Sequence, residues 1–133
     1  MRKLWLAVLV QTQFQGDNGQ WFCFAQAKDS VGQLVFYSIC PVKAPKHKNV
    51  VLAEFLTRVN FGLLMGNFEM NFEDGQIRFK TSLDVEGDRL NEALVKNLVY
   101  ANVFVTDQYL PGILKAIYSD ASPAEILAEI EAS

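Results

Sequence analysis

The chain has 133 residues, 50% of them hydrophobic and 20% charged, with a formal net charge of -3. That length suits a single domain over residues 1–133, and that composition excludes a disordered chain. The acidic balance counts against nucleic acid, whose phosphates demand a basic surface. Ten Phe, four Tyr and two Trp supply an aromatic core and leave material for an interface, where aromatics are enriched.

Arg2-Lys3 followed by Leu4–Val10 has the outline of a short signal peptide. No small-residue cleavage site follows, however, and the run continues into the alternation of Gln11, Gln13 and Gln15, so a strand is expected over Leu4–Gln15. Gly16-Asp17-Asn18-Gly19 is a turn signal leading to a second strand, Gln20–Lys28. Closing the hairpin there pairs Phe14 with Trp21, Thr12 with Cys23 and Val10 with Ala25. A second turn, Asp29-Ser30-Val31-Gly32, leads to a third strand, Leu34–Cys40, completing an antiparallel meander. Cys23 and Cys40 lie in these strands without zinc-like spacing. Both read as buried free thiols, which implies a reducing, cytoplasmic location. The longest apolar run is far too short to span a bilayer, so no membrane partner is expected.

Val42-Lys43-Ala44-Pro45 breaks the strand pattern, and a helix is expected from Lys46 to Phe61. Val51, Leu52, Phe55, Leu56 and Val59 recur at helical spacing, and Glu54 and Arg58 form an i,i+4 pair on the solvent side. Gly66–Val85 reads as a hairpin. With Asp74-Gly75 as a two-residue primed turn, Phe72 faces Ile77, Asn71 faces Arg78, Met70 faces Phe79, Glu69 faces Lys80, and Phe68 faces Thr81. Every apolar partner then shares one face, and a one-residue slip would destroy the match. After Glu86-Gly87-Asp88 a helix is expected over Asn91–Phe104. Pro111 predicts a break near Asp107–Tyr109, with a further turn or two through Tyr118. Ser122-Pro123-Ala124-Glu125 is a capping box that opens a last short helix. The fold class is therefore α+β, with a five-stranded, largely antiparallel sheet: meander, helix, hairpin, then C-terminal helices.

No chemistry-bearing constellation stands out. His47 is the single histidine, lies between two lysines, and has no nameable Cys or carboxylate partner. Asp84-x-Glu86-Gly87-Asp88 lacks the spacing of a calcium-binding EF-hand. Glu69 is better explained as the cross-strand partner of Lys80 than as half of an acid/base pair with Glu73 or Asp74. Gly16-x-x-Gly19 and Gly62-x-x-x-Gly66 lack the strand–loop–helix setting of phosphate loops. Thr81 and Ser82 have no histidine to activate them. Catalytic, cofactor and metal residues are therefore not assigned, and the expectation is a non-enzyme without cofactor.

One feature points outward. The hairpin registers place Leu6, Val8, Val10, Phe14, Trp21, Cys23, Leu34 and Phe36 on one face of the meander. The other face receives Trp5, Leu9, Phe22, Phe24, Val35, Tyr37 and Ile39. A two-layer antiparallel sheet normally has one polar face. The C-terminal helices can cover one apolar face, and the middle helix, a second copy of the chain or a separate partner must cover the other. Trp5, Phe22, Phe24 and Tyr37 are the candidate interface residues on that face.

Several phrases carry a family resemblance: Ala53-Glu54-Phe55-Leu56-Thr57-Arg58-x-Asn60-x-Gly62, Gly66-Asn67-Phe68-Glu69, Asp74-Gly75-x-Ile77-Arg78-x-Lys80-Thr81-Ser82, Asp84-Val85-Glu86-Gly87 and Leu98-Val99-Tyr100-Ala101-Asn102. Together they resemble the YbjN-like family, and more narrowly its branch in photosynthetic bacteria. The family is described as bacterial sensory-transduction regulators with a fold like that of type III secretion chaperones, which are small acidic homodimers that bind unfolded segments of partners. The resemblance implies no catalytic residues. By analogy of fold it implies a homodimer contact through the helix Lys46–Phe61 and the strand Gly66–Phe72, with Val51, Phe55, Phe68 and Met70 as candidate interface residues, and an unidentified protein partner. The expected function is a non-enzymatic, protein-binding regulator or chaperone-like homodimer; the alternatives are a structural subunit of a larger complex and, after that, a small enzyme with an unrecognised site.

Overall fold

The computed structural model describes residues 7–28, 32–84 and 91–133, with only the backbone described at 7–9 and 28. In chain order the elements are β1 (Ala7–Gln15), β2 (Gln20–Lys28), β3 (Gln33–Ile39), α1 (Asn49–Phe61), β4 (Asn67–Met70), β5 (Ile77–Asp84), α2 (Glu92–Tyr118) and α3 (Pro123–Ala132), with a 3-10 turn at Lys46–Lys48 leading into α1. All neighbouring strands are antiparallel, in the order β1-β2-β3-β5-β4. This is the expected α+β arrangement. Leu4–Leu6, with Trp5 among them, Asp29–Val31 and the Glu86–Asp88 turn lie outside the described residues.

The first hairpin closes where its glycine-flanked turn predicts: Phe14 faces Trp21, Thr12 faces Cys23, and Val10 faces Ala25. The second hairpin corrects the expected register by two residues. Phe68 faces Phe79, Glu69 faces Arg78 and Met70 faces Ile77. The cause is local. Asn71 Oδ1 accepts from the Glu73 N–H at 2.8 Å and Asp74 Oδ1 from the Gln76 N–H at 2.9 Å, so each side chain fastens the backbone two residues on. The Asn71 N–H meanwhile bonds to the Gln76 carbonyl at 2.9 Å. A four-residue loop, 72–75, replaces the two-residue turn. Gly75 adopts a φ of 80° and accepts from the Ala44 N–H at 2.9 Å; a Cβ there would strike the Ala44 carbonyl. A two-residue shift preserves the facing of every side chain, so the inward and outward sets survive while the partners change. Phe72 leaves the strand and is exposed.

α2 corrects a second expectation. It runs unbroken from Glu92 to Tyr118 with Pro111 inside it. A proline removes the donor that the carbonyl four residues earlier would receive. Here that carbonyl belongs to Asp107, and Asn18 Nδ2 donates to it at 3.0 Å. The β1–β2 turn fills the gap from outside the helix. The Asp107 carboxylate returns the contact, accepting from the N–H groups of Asp17 at 3.1 Å and Asn18 at 2.8 Å.

Two apolar clusters form the core, and both take their strand residues from the same side of the sheet. One gathers Phe68, Ile77 and Phe79 under Leu52, Phe55, Leu56 and Val59 of α1, Tyr109 and Ile113 of α2, and Ile126 of α3. The other sets Trp21, Cys23 and Phe36 beneath Leu98, Val103 and Leu110 of α2. Between them Asn102, fully buried, ties α2 to two strands. Its Nδ2 donates to the Phe36 and Phe79 carbonyls at 3.0 and 3.1 Å. Its Oδ1 accepts from Ser38 Oγ at 2.6 Å, and Ser38 Oγ accepts from Trp21 Nε1 at 2.9 Å. The side-chain polar groups of Asn102, Ser38 and Trp21 are all partnered, which is what allows them to sit in an apolar interior.

Candidate interaction surfaces

α1 was one of three ways to roof the second apolar face of the meander. It packs on the same side as α2 and α3, because its stripe Leu52, Phe55, Leu56, Val59 joins Phe68 and Phe79 in one cluster. Among the described residues, no core cluster includes a side chain from the opposite face. There Phe22 faces Ile39 and Phe24 faces Tyr37 across the β2–β3 ladder, with Gln13 and Gln11 alongside on β1. Phe22 is 51% exposed. Phe24 and Tyr37 are half-buried, and Val35 is buried.

The same face carries the sheet's charges. Arg78 Nε bonds to Glu69 Oε1 at 2.8 Å and Lys80 Nζ to Glu69 Oε2 at 3.0 Å. The Arg78 guanidinium also lies 4.3 Å from the centre of the Tyr37 ring. Burial works against the charge on Glu69, but the hydrogen bonds from Lys80 and Arg78 outweigh it and hold its pKa below the ordinary value. A hollow of about 480 Å³ beside the hairpin loop is lined by Glu69, Glu73 and Arg78. Glu69 is held ionised by two cations there, which is unsuited to proton transfer near neutral pH.

A second surface runs along α1. Val50, Glu54, Thr57, Arg58 and Phe61 point away from the core, with Glu54 and Arg58 joined at 2.8 Å. Phe61 is 95% exposed, and Leu64 and Met65 of the following loop are exposed too. Phe72 completes the other end, because Asn49 at the start of α1 donates to its carbonyl at 3.4 Å. The edge strand beside this surface is plugged. Asn60 of α1 donates its side-chain amide to the Phe68 carbonyl at 3.0 Å and accepts from the Phe68 N–H at 2.7 Å, occupying the groups that an added strand would use.

The candidate residues therefore divide. Phe22, Phe24 and Tyr37 share the open sheet face. Val51 and Met70 are half-buried against the core. Phe55 and Phe68 are core residues, a correction with one cause: helix phase and strand parity turn both inward. Phe61, Leu64 and Met65 were missed, although an apolar run between Gly62 and Gly66 was visible, and loops seldom carry one.

The titratable groups with displaced pKa values are structural. Burial pushes the Cys40 thiol up to about 12, and raises Cys23 despite hydrogen bonds with Ser38 and Trp21. Both cysteines are free and buried. His47 is exposed in the 3-10 turn. Among the described residues no group of three or more His, Cys, Asp or Glu could hold a metal ion, and no helix is long and apolar enough to cross a membrane.

The family model YbjN, described as "Putative bacterial sensory transduction regulator", matches residues 9–115. No curated protein and no solved structure matches the chain.

Proposed function

Since the chain belongs to the YbjN family, we propose that it is a non-enzymatic, cytoplasmic regulator that works by protein association, as a homodimer whose open sheet face receives a partner protein. The observation that carries this is the one-sided sheet: among the described residues the three helices share one face, and on the other Phe22 is half exposed beside the half-buried Phe24 and Tyr37. An aromatic patch of that kind on a soluble chain marks an interaction site.

The second copy fits α1. Val50 and Phe61 stand three turns apart, about 16 Å, and Glu54 and Arg58 lie between them. An antiparallel, two-fold contact sets Val50 of one copy against Phe61 of the other and Glu54 against Arg58, so each end meets its complement. Burying Val50, Phe61, Leu64 and Met65 from both copies contributes roughly 12–24 kcal/mol gross, against an association cost of about 4–15 kcal/mol. A micromolar dimer, needing about 8 kcal/mol net, lies within that range. The plugged edge at Phe68 favours helix-to-helix contact over sheet extension.

The test is light scattering on the intact chain at several concentrations, with Phe61→Ser/Leu64→Ser and Phe22→Ser/Phe24→Ser compared. The first double change should abolish the concentration dependence. The second should leave the dimer intact and remove capture of the native partner. A monomer at every concentration would defeat the dimer.

A further inference from the structure

The outer side of α2 carries a third apolar surface. Tyr100 and Phe104, one turn apart, are 58% and 70% exposed, although a helix interior offers many polar alternatives at such positions. They are not isolated. With Phe14 and the β1–β2 turn they line a cavity of about 280 Å³. Phe104 also borders a second cavity of about 500 Å³, which continues past Pro111 to Ile130 of α3. The two hollows lie on either side of Phe104, and the helix face from Tyr100 to Pro111 that they border is about 16 Å long.

The charged residues that line this groove are all carboxylates. Asp17 and Asp107 line the first cavity and Glu129 the second, and no Lys, Arg or His lines either. The Asp107 carboxylate is fixed by two main-chain N–H groups, which hold it in place and leave its charge unneutralised. Glu129 is paired with Lys115 at 2.6 Å. Asp17 has no side-chain partner among the described residues. Both lysines of α2 lie beside the groove: Lys115 on Glu129, and Lys96, whose ammonium lies 5.6 Å from the centre of the Tyr100 ring. That contact shows that the ring face already accepts a cation.

We infer that this groove docks a basic amphipathic segment of a partner protein, its apolar side chains on Tyr100, Phe104 and Pro111 and its Lys or Arg residues beside Asp17 and Asp107. The surface is separate from α1 and from the open sheet face, so it neither requires nor excludes a dimer. The length matches about three turns of a helix laid antiparallel or parallel to α2. The Asp17 and Asp107 carboxylates choose the charge of the occupant.

The probe is a fluorescently labelled synthetic peptide of Leu and Lys with helical amphipathic spacing, titrated with the intact chain and followed by anisotropy. Its control has every Lys replaced by Glu. The Lys peptide should bind, weakening with salt, and the Glu peptide should bind at least about tenfold less well. Phe104→Ser should weaken the Lys peptide about tenfold. Asp17→Asn should weaken it several-fold and reduce the salt dependence. Phe61→Ser/Leu64→Ser should leave it unchanged. Equal binding of the two peptides, no binding of the Lys peptide, or an unchanged affinity in Phe104→Ser would overturn the assignment. Phe104 is a surface residue, and a thermal melt of that variant matching the parent shows that the fold is intact.

Discussion

Asn18 and Asp107 lie 89 positions apart in the chain and are joined by two hydrogen bonds, both donated by Asn18. The Asn18 side chain gives a hydrogen bond to the Asp107 carbonyl at 3.0 Å, and the Asn18 N–H gives one to the Asp107 carboxylate at 2.8 Å. The carbonyl is available because Pro111 cannot donate to it. The turn and the proline are thus two halves of one joint. Gly16 lets them close, since a Cβ there would strike the Asp107 carboxylate.

Asn18→Ala should cost about 0.5–1.5 kcal/mol and Asp107→Ala about 1–3 kcal/mol, the second more because two backbone donors lose their acceptor. Urea melts measure both. In a Pro111→Ala background the helix regains its own donor, so Asn18→Ala should cost less there. An equal cost in both backgrounds would disconnect the turn from the proline.

Asn102 is the polar centre of the interior, bonded to β3, β5 and Ser38 at once. Thr81 joins the same cluster, accepting from Asn102 Nδ2 at 3.2 Å and donating to the Leu98 carbonyl at 3.1 Å. Asn102→Leu preserves bulk and strands these partners, and should destabilise by about 2–4 kcal/mol in urea. A loss below about 1 kcal/mol would show that the network can be replaced by apolar packing.

Glu69 predicts a pH dependence. Its carboxyl is more acidic in the folded chain than in the unfolded one. Its contribution is therefore fully present above the unfolded pKa of about 4.3, and is lost as pH falls from there through the folded value. All three side chains of the cluster remain partly exposed, so solvent screening limits the contribution to about 0.5–1 kcal/mol. The stability gap between the parent and Glu69→Gln should be constant near neutrality and shrink below about pH 4.3. A gap that persists to pH 3 would assign the effect to shape rather than charge.

Local signals were legible where local chemistry decides. The Gly16–Gly19 turn set the first register, the Leu52–Val59 stripe set the phase of α1, and Ser122 with Glu125 capped α3 as expected, each accepting from the other's backbone N–H at 3.2 Å. Distant contacts were not legible. Nothing near Pro111 announces that Asn18 will satisfy the helix, and nothing near Asp74 announces that Ala44 will bond to Gly75. Asn102 looks like an ordinary polar residue on an amphipathic helix until its strand partners are placed. The resemblance phrases proved to be rich in such joints: Asn60 plugs β4, Glu69 holds Arg78 and Lys80, and Leu98, Asn102 and Thr81 meet in the core. They specify a fold more than a site, which is why the family was readable and the interaction surfaces were not.

The mass of the intact chain in solution tests the central claim most directly. Light scattering should give a value rising with concentration toward twice 15.0 kDa, and Phe61→Ser/Leu64→Ser should hold it at the single-chain value. A parent chain that stays at 15.0 kDa throughout a range reaching high micromolar would contradict the account.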